Sequence, residues 1–383
     1  MDKSSFLHII ALITIFISLL LTFFLITVKS KNRFSNILLA GFIIVCAVDI
    51  SGIIIGQHLK NNPELYLIIK SVTFLIFPIF YFYVLSICYS NFKLKINSSF
   101  HLLPFVLYNL FILSTLLFDK NESLSFILHK LLWIFNTFLL KLQALFYLIA
   151  IIYVLKKYRK IFLENYTNGN IYIYKWLSII VQVFLITLPI TILKDFSHFS
   201  NHQEIFTWTI IVLTTVALIM LSWFILKALY TPEIFRGIAS EIKPARKFTN
   251  RKNENESFKT ELDSMNSALI EQLRKYMFEK EPFLEPTLTL QDLALQMNIP
   301  ARKLSILINQ SIGQHFFDFI NKYRIEKAIE IIEKSTKREF TIQQIYFEVG
   351  FNSKSSFNTA FKKQTQLTPT EYKNLQSKKN LTI

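Results

Sequence analysis

Seven glycines in 383 residues leave little material for loops that cradle phosphates. The sequence has no P-loop and no glycine motif of an ATP-binding kinase. Cysteine is rarer still: Cys46 and Cys88 are the only two. Both sit in apolar runs at no metal-ligand spacing, so a disulfide framework is not supported and two buried thiols are expected. The seven histidines, His8, His58, His101, His129, His198, His202 and His315, are scattered. His198 and His202 fall in an expected loop with Asp195 and Glu204, where ordinary loop polarity outweighs a metal site. No Ser/His/Asp arrangement stands out. An enzyme is the weakest functional class, and no cofactor or metal is expected. Acids are in deficit as well, with 26 Asp and Glu against 42 Lys and Arg, a net charge of +16.

What the chain has in excess is apolar bulk, including 38 phenylalanines and a mean hydropathy of +0.38. A helix needs about 20 mostly apolar residues to cross a bilayer. Seven stretches qualify: about 6–28, 35–56, 65–88, 101–118, 127–155, 171–193 and 204–226. The first is too long for a signal-peptide core and lacks a small-residue cleavage site, so it is read as retained. Lys29, Lys31, Arg33, Lys93, Lys95, Lys156, Lys157, Arg159 and Lys160 would lie on one side, against Lys3, Lys60, Lys120 and Lys194 on the other. The basic side is cytoplasmic. The N-terminus is then outside and everything after Ile225 inside. Much of the net positive charge would face anionic lipid.

Ionisable groups inside such runs are costly and invite a functional reading. Asp49 in the second run and Lys70 in the third would reach similar depth on adjacent antiparallel helices. Lys141 lies near the middle of the fifth, close to Asn136 and Gln143. Asp49, Lys70 and Lys141 are read either as packing ion pairs or as the polar part of a sensor for a small ligand or membrane signal. Pro78, Pro104 and Pro189 are expected to kink their helices.

From Ala228 to about Asn266 the chain turns charged and loses its apolar runs, which reads as a solvated linker. Its end is patterned. Phe258, Leu262, Met265, Leu269, Leu273 and Tyr276 make an apolar helical stripe of near-heptad spacing. That stripe fits either a helix packed on the next domain or a parallel homodimer stem.

The last hundred residues hold two similar signals. In the first, Thr289 with Asp292 reads as a capping box. Leu290, Leu293, Ala294 and Met297 form the apolar face of the helix it starts. Asn298 suits a turn, and Pro300 suits the first turn of a second helix that buries Leu304, Leu307 and Ile308. In the second, Thr341 starts a helix with Ile342, Ile345 and Val349 inside. Gly350 makes the turn, Phe351 plugs the gap, Ser353 caps, and Phe357 and Phe361 anchor the next helix. Two short helices about a tight turn predict a helix-turn-helix in each case. Between them, Phe316, Phe319, Ile320, Tyr323, Ile325, Ala328, Ile331 and Ile332 mark one long amphipathic helix. A rigid spacer of that kind could present two recognition helices to successive major grooves about 34 Å apart.

This region resembles the AraC/XylS-type transcriptional regulators, whose signature is a paired helix-turn-helix. The resemblance rests on Gly350, Phe351, Ser353, Ser356, Phe357, Phe361, Lys362, Lys363, Thr368, Pro369 and Tyr372. It extends to Tyr323, Arg324 and Ala328 of the long helix and covers roughly the last 110 residues. It implies sequence-specific binding of double-stranded promoter DNA, with RNA polymerase as a further partner. Tyr346 stands where the family usually has Ala, Gln366 where Gly is common and Lys373 where Arg is common. The N-terminal part is similar, in architecture alone, to seven-span sensor halves fused to such domains in bacteria.

The reading is therefore an all-α chain. A seven-helix transmembrane sensor bundle would occupy 1–226, a cytoplasmic linker 227–267 and a DNA-binding domain 268–383, with motifs at about 289–309 and 341–363. Base readout is expected from Arg302, Ser305 and Ile306, and from Lys354, Ser355, Asn358 and Thr359. Lys303, Lys362 and Lys363 are expected on phosphates. From Ala268 onward 17 Lys and Arg face 12 Asp and Glu, a net of +5, which predicts weak, salt-sensitive binding by one copy. The rival reading is a membrane transporter or scaffold whose tail binds protein. The expected location is the bacterial cytoplasmic membrane, with the C-terminal domain inside.

Overall fold

The computed structural model describes residues 2–30, 32–59, 62–89, 92–118, 122–167, 172–230, 256–334 and 340–379. These are almost all helical, and no strand occurs among them. They fall into two compact units. One comprises Met1–Lys156 with Tyr172–Pro244, and the other Lys157–Ile171 with Ala245–Ile383.

The first unit contains α1 (Lys3–Thr27), α2 (Arg33–His58), α3 (Pro63–Ser71), α4 (Ile76–Cys88), α5 (Leu103–Phe118), most of α6 (Glu122–Asn165), α7 (Tyr172–Phe199) and α8 (Gln203–Tyr230). Among the described residues, seven helical stretches are long and apolar enough to cross a membrane. They fall at Lys3–Thr27, Arg33–Gly56, Leu65–Cys88, Ile96–Leu113, Asn136–Asn165, Ile173–Phe199 and Gln203–Tyr230, close to the seven runs expected. Their exposed surface is rich in Leu, Ile and Phe, such as Phe16, Phe23, Phe146 and Ile186. An apolar exterior of this kind suits a hydrocarbon solvent.

The third stretch is broken. A 3-10 turn, Val72–Leu75, separates α3 from α4. Pro78 has no N–H for the carbonyl four residues back. That carbonyl, Phe74 O, instead accepts from Gln143 Nε2 of α6 at 3.1 Å. Pro104 sits in the first turn of α5, behind a 3-10 segment at Ile96–Leu102. Pro189 is inside α7.

The second unit holds α9 (Glu256–Lys280), α10 (Leu290–Gln296), α11 (Ala301–Ile306), α12 (Phe316–Lys334), α13 (Ile342–Glu348), α14 (Lys354–Thr365) and α15 (Pro369–Lys379). A 3-10 turn, Pro282–Leu284, follows α9, and a π-helical turn, Leu307–Ser311, extends α11. Leu269, Leu273 and Tyr276 of α9 pack on the core of the first motif. The described part of the apolar stripe thus packs on the next domain. The side chains of Phe258, Leu262 and Met265 lie outside the described residues, as does the linker 231–255.

Candidate nucleic-acid interface

The two motifs are built by the same local chemistry. Thr289 caps α10: its hydroxyl accepts from the Asp292 N–H at 3.1 Å, and Asp292 Oδ2 accepts from the Thr289 N–H at 3.0 Å. Thr341 and Gln344 repeat this reciprocal box at the start of α13, at 3.2 and 2.8 Å. Each box satisfies two amides that a helix start leaves open. Both first helices end in a residue of positive φ, Asn298 at 54° and Gly350 at 86°. Such a conformation is cheap for Gly and tolerated by Asn. Both turns are closed by a backbone bond, from Ile299 N–H to Ala294 O at 3.0 Å and from Phe351 N–H to Tyr346 O at 2.8 Å.

The second helices follow. Pro300 occupies the cap position of α11, one place earlier than expected from its fit to a first turn. Ser353 caps α14, its hydroxyl accepting from the Ser356 N–H at 3.2 Å. Leu304 and Ile308 anchor the first recognition helix and Phe357 and Phe361 the second, all with 0% exposure. Ala294 is buried, and Pro369 starts α15 and is buried as well. Tyr346 is accommodated: it is 8% exposed, its ring 6.1 Å from that of Phe357 and 4.4 Å from the exposed Phe347. Gln366 takes φ 62° as the C-cap of α14, which explains why Gly is common there. Lys373 donates to Phe340 O at 2.5 Å.

The expected reader residues divide by surroundings. Arg302, Lys354, Ser355, Thr359, Lys362 and Lys363 are exposed; Lys303, Ser305, Ile306 and Asn358 are half-buried. Ser305 Oγ accepts from Asn309 Nδ2 at 3.2 Å, and Thr359 Oγ1 donates to Ser355 O at 2.8 Å. Lys363 pairs with Asp318 at 2.7 Å, so its ammonium is shared with the start of α12. The arrangement offers cations and hydroxyls on one helix face, which suits phosphate oxygens and base edges.

Residues 293–375 match a family model described as a helix-turn-helix domain. The C-terminal unit carries an AraC/XylS-type helix-turn-helix domain. Among curated relatives, the HTH-type transcriptional regulator AlkR of Acinetobacter baylyi is 27% identical over 85 residues. That match takes in 22% of this chain and only 27% of AlkR, so the chain spans about a quarter of that relative's length. Among solved structures, the C-terminal domain of AraT, a response regulator from Geobacillus stearothermophilus, is 31% identical. It covers 28% of this chain and 84% of its own, with a TM-score of 0.24. A Listeria innocua protein of unknown function is 28% identical over 28% of this chain and 95% of its own, with a TM-score of 0.25. AlkR is thus a transcriptional regulator by name and AraT a response regulator.

In the first unit the candidate sensor residues are paired. Lys70 Nζ lies 2.8 Å from Asp49 Oδ1 and 2.8 Å from Asp49 O, and Thr73 Oγ1 donates to the same carboxylate at 3.1 Å. Gly52, one turn on from Asp49, makes room for the lysine stem: a Cβ there would lie 2.6 Å from Lys70 Cε. Lys141 pairs with Asp195 at 2.7 Å, and Lys194 approaches the same acid at 3.2 Å. Asp195 and His198 are thus helical, in α7, and not in the loop expected for them. No group of three or more metal-ligating side chains occurs among the described residues.

The sequence reading left the partner of Lys141 unassigned, although a carboxylate on a neighbouring apolar helix was the feature to look for. It also gave Arg324 no role beyond family resemblance. That guanidinium is buried, with 1% of the residue exposed, and donates from Nε to Phe283 O at 2.6 Å and from Nη2 to Glu285 O at 2.8 Å. Burial lowers its pKa to about 10, so it stays charged at neutral pH.

Proposed function

We propose that this protein is a membrane-embedded transcription regulator. The first unit senses a signal at the bilayer or its outer face, and the C-terminal domain reads promoter DNA in the cytoplasm. The observation that carries the reading is the repeated motif. Two capped helix pairs, each turning on a positive-φ residue, expose Arg302 and Lys354, Ser355 and Thr359 on their second helices. Seven long apolar helices support membrane residence, and the excess of Lys and Arg after the first, third and fifth supports an outside N-terminus. The Asp49–Lys70 and Lys141–Asp195 pairs lie in the sensing half, where a bound small ligand would exchange partners with them. A homodimer would raise the affinity of a weakly basic domain by effective concentration. RNA polymerase is the further partner that the domain type implies.

The test uses the full chain in detergent or nanodiscs, incubated with fragments of genomic DNA at two salt concentrations. A set of enriched fragments, bound more weakly at the higher salt, is the expected result. Retention of all fragments alike, or of none, would sink the regulator and favour a membrane scaffold.

A further inference from the structure

We infer that Arg324 locks the two helix-turn-helix motifs into one register and thereby sets the base-pair spacing that the domain accepts. The inference rests on the DNA-binding reading above and adds a positioning residue to it.

The two motifs have separate cores. The first is built on Leu273, Leu293, Leu304, Ile308, Phe316 and Ile320, and the second on Ile325, Ala328, Ile345, Val349, Phe357 and Phe361. Among the described residues, no buried residue belongs to both. The helix α12 runs through the two, contributing Phe316, Phe319 and Ile320 to one and Ile325, Ala328 and Ile332 to the other. Arg324 stands at the seam. The continuous helix α12 fixes the distance between the two cores, and what remains to be fixed is how each core seats against it.

Arg324 closes the seam from three sides. Its backbone belongs to α12. Its guanidinium holds two carbonyls, Phe283 O and Glu285 O, of the turn that enters the first motif. The ring of Phe351, from the turn of the second motif, lies 5.5 Å from its guanidinium carbon. Gly350 presses on the same entry turn. A Cβ at that position would lie 2.6 Å from Leu284 O and 2.8 Å from Phe283 O. The carbonyls of residues 283–285 are therefore where both motifs meet, and Arg324 organises them. The forked, planar guanidinium fits this task because it fixes the direction of two bonds at once, which an aliphatic filler cannot do. A buried cation is also intolerant of slippage, because losing either carbonyl leaves charge desolvated.

For DNA the consequence is geometric. Inserting one base pair between two recognised segments turns the second by about 35° and moves it about 3.4 Å. A locked pair of recognition helices cannot follow, whereas a hinged pair can.

The experiment takes a fragment enriched by the full chain and makes derivatives with one base pair inserted or removed between the two protected segments. Binding is read by fluorescence anisotropy with full-length protein. The wild type is expected to lose roughly tenfold or more per insertion, the size of a lost base contact. Arg324→Gln and Arg324→Lys are expected to bind the original site more weakly, but to lose less than about threefold on insertion, because a hinge accommodates either spacing. The ratio between spacings is insensitive to the fraction of folded protein, which scales both affinities alike. An unchanged ratio in both variants, or no spacing penalty in the wild type, overturns the proposal. Loss of binding at both spacings by both variants also counts against it, because a hinged pair still presents both helices. Failure of the wild-type chain to select any sequence refutes the DNA-binding reading itself.

Discussion

Substituting Gly350 by Ala should open the second motif, and the structure supplies its own control. Among the described residues of the second unit, two glycines have positive φ: Gly313 at 75° and Gly350 at 86°. A Cβ on Gly313 would meet nothing within 4 Å, whereas one on Gly350 would meet two backbone carbonyls inside 3 Å. Both substitutions carry the left-handed penalty of an L residue, roughly 1–2 kcal/mol. Only Gly350→Ala adds overlap with backbone that cannot rotate away, about 1–3 kcal/mol by analogy with overpacked cores. The total of about 2–5 kcal/mol is a large fraction of the roughly 5–15 kcal/mol that stabilises a typical domain. Hydrogen–deuterium exchange on the full chain resolves this. Amides of α13 and α14 should exchange about 30-fold faster or more in Gly350→Ala, at about 1.4 kcal/mol per factor of ten. In Gly313→Ala any acceleration should stay near tenfold. Equal exchange in the two variants would refute the steric argument and leave the backbone angle as the whole effect.

Lys354→Ala should weaken binding to enriched DNA and lower the slope of log affinity against log salt by about 0.9 if the ammonium holds a phosphate. Unchanged affinity and sequence preference would remove the second motif from the interface. Leu293→Ala, at a site with 0% exposure, should cost about 2–5 kcal/mol, read as faster exchange of α10 and α11. Asp49→Asn should lower the thermal midpoint in detergent, and adding Lys70→Met should recover much of the loss. Glu371 accepts from the Thr368 N–H at 2.8 Å, and that bond, with the Thr368 hydroxyl, holds its pKa below the ordinary 4.5. A depressed carboxylate stabilises the fold above the unfolded value and loses that contribution as pH falls through the folded one. The start of α15 should therefore fray below about pH 4.5 in the wild type, with the acid-dependent part of the fraying absent in Glu371→Gln, as NMR of the Thr368 amide would report.

The apolar stretches were legible because hydrophobic length is a property of sequence alone, and so were the caps, where Thr289, Thr341 and Ser353 act within three residues of themselves. The Asp49–Lys70 pair was legible because adjacent antiparallel helices fix relative depth. What stayed hidden depends on contacts far apart in the chain. Lys141 meets an acid 54 residues away, and Arg324 meets carbonyls about 40 residues away, which carry no side-chain signature. The π-helical turn after α11 and the 3-10 break at Val72–Leu75 also escaped, because apolar periodicity does not register a change of helical pitch. Tyr346, where Ala is usual, is part of the buried core of the second motif, its ring beside those of Phe347 and Phe357.

The caps of the first helices, Thr289 and Thr341, are 52 positions apart, while those of the recognition helices, Pro300 and Ser353, are 53 apart. The second turn is one residue longer. An ungapped superposition of the motifs would set Arg302 beside Lys354, but the buried anchors Leu304 and Phe357, and Ile308 and Phe361, demand the other phase. In that phase Arg302 corresponds to Ser355, Ser305 to Asn358 and Ile306 to Thr359. Anyone grafting one recognition surface onto the other motif must transplant by phase, not by ordinal position, or every grafted side chain will point about 100° away from its intended direction.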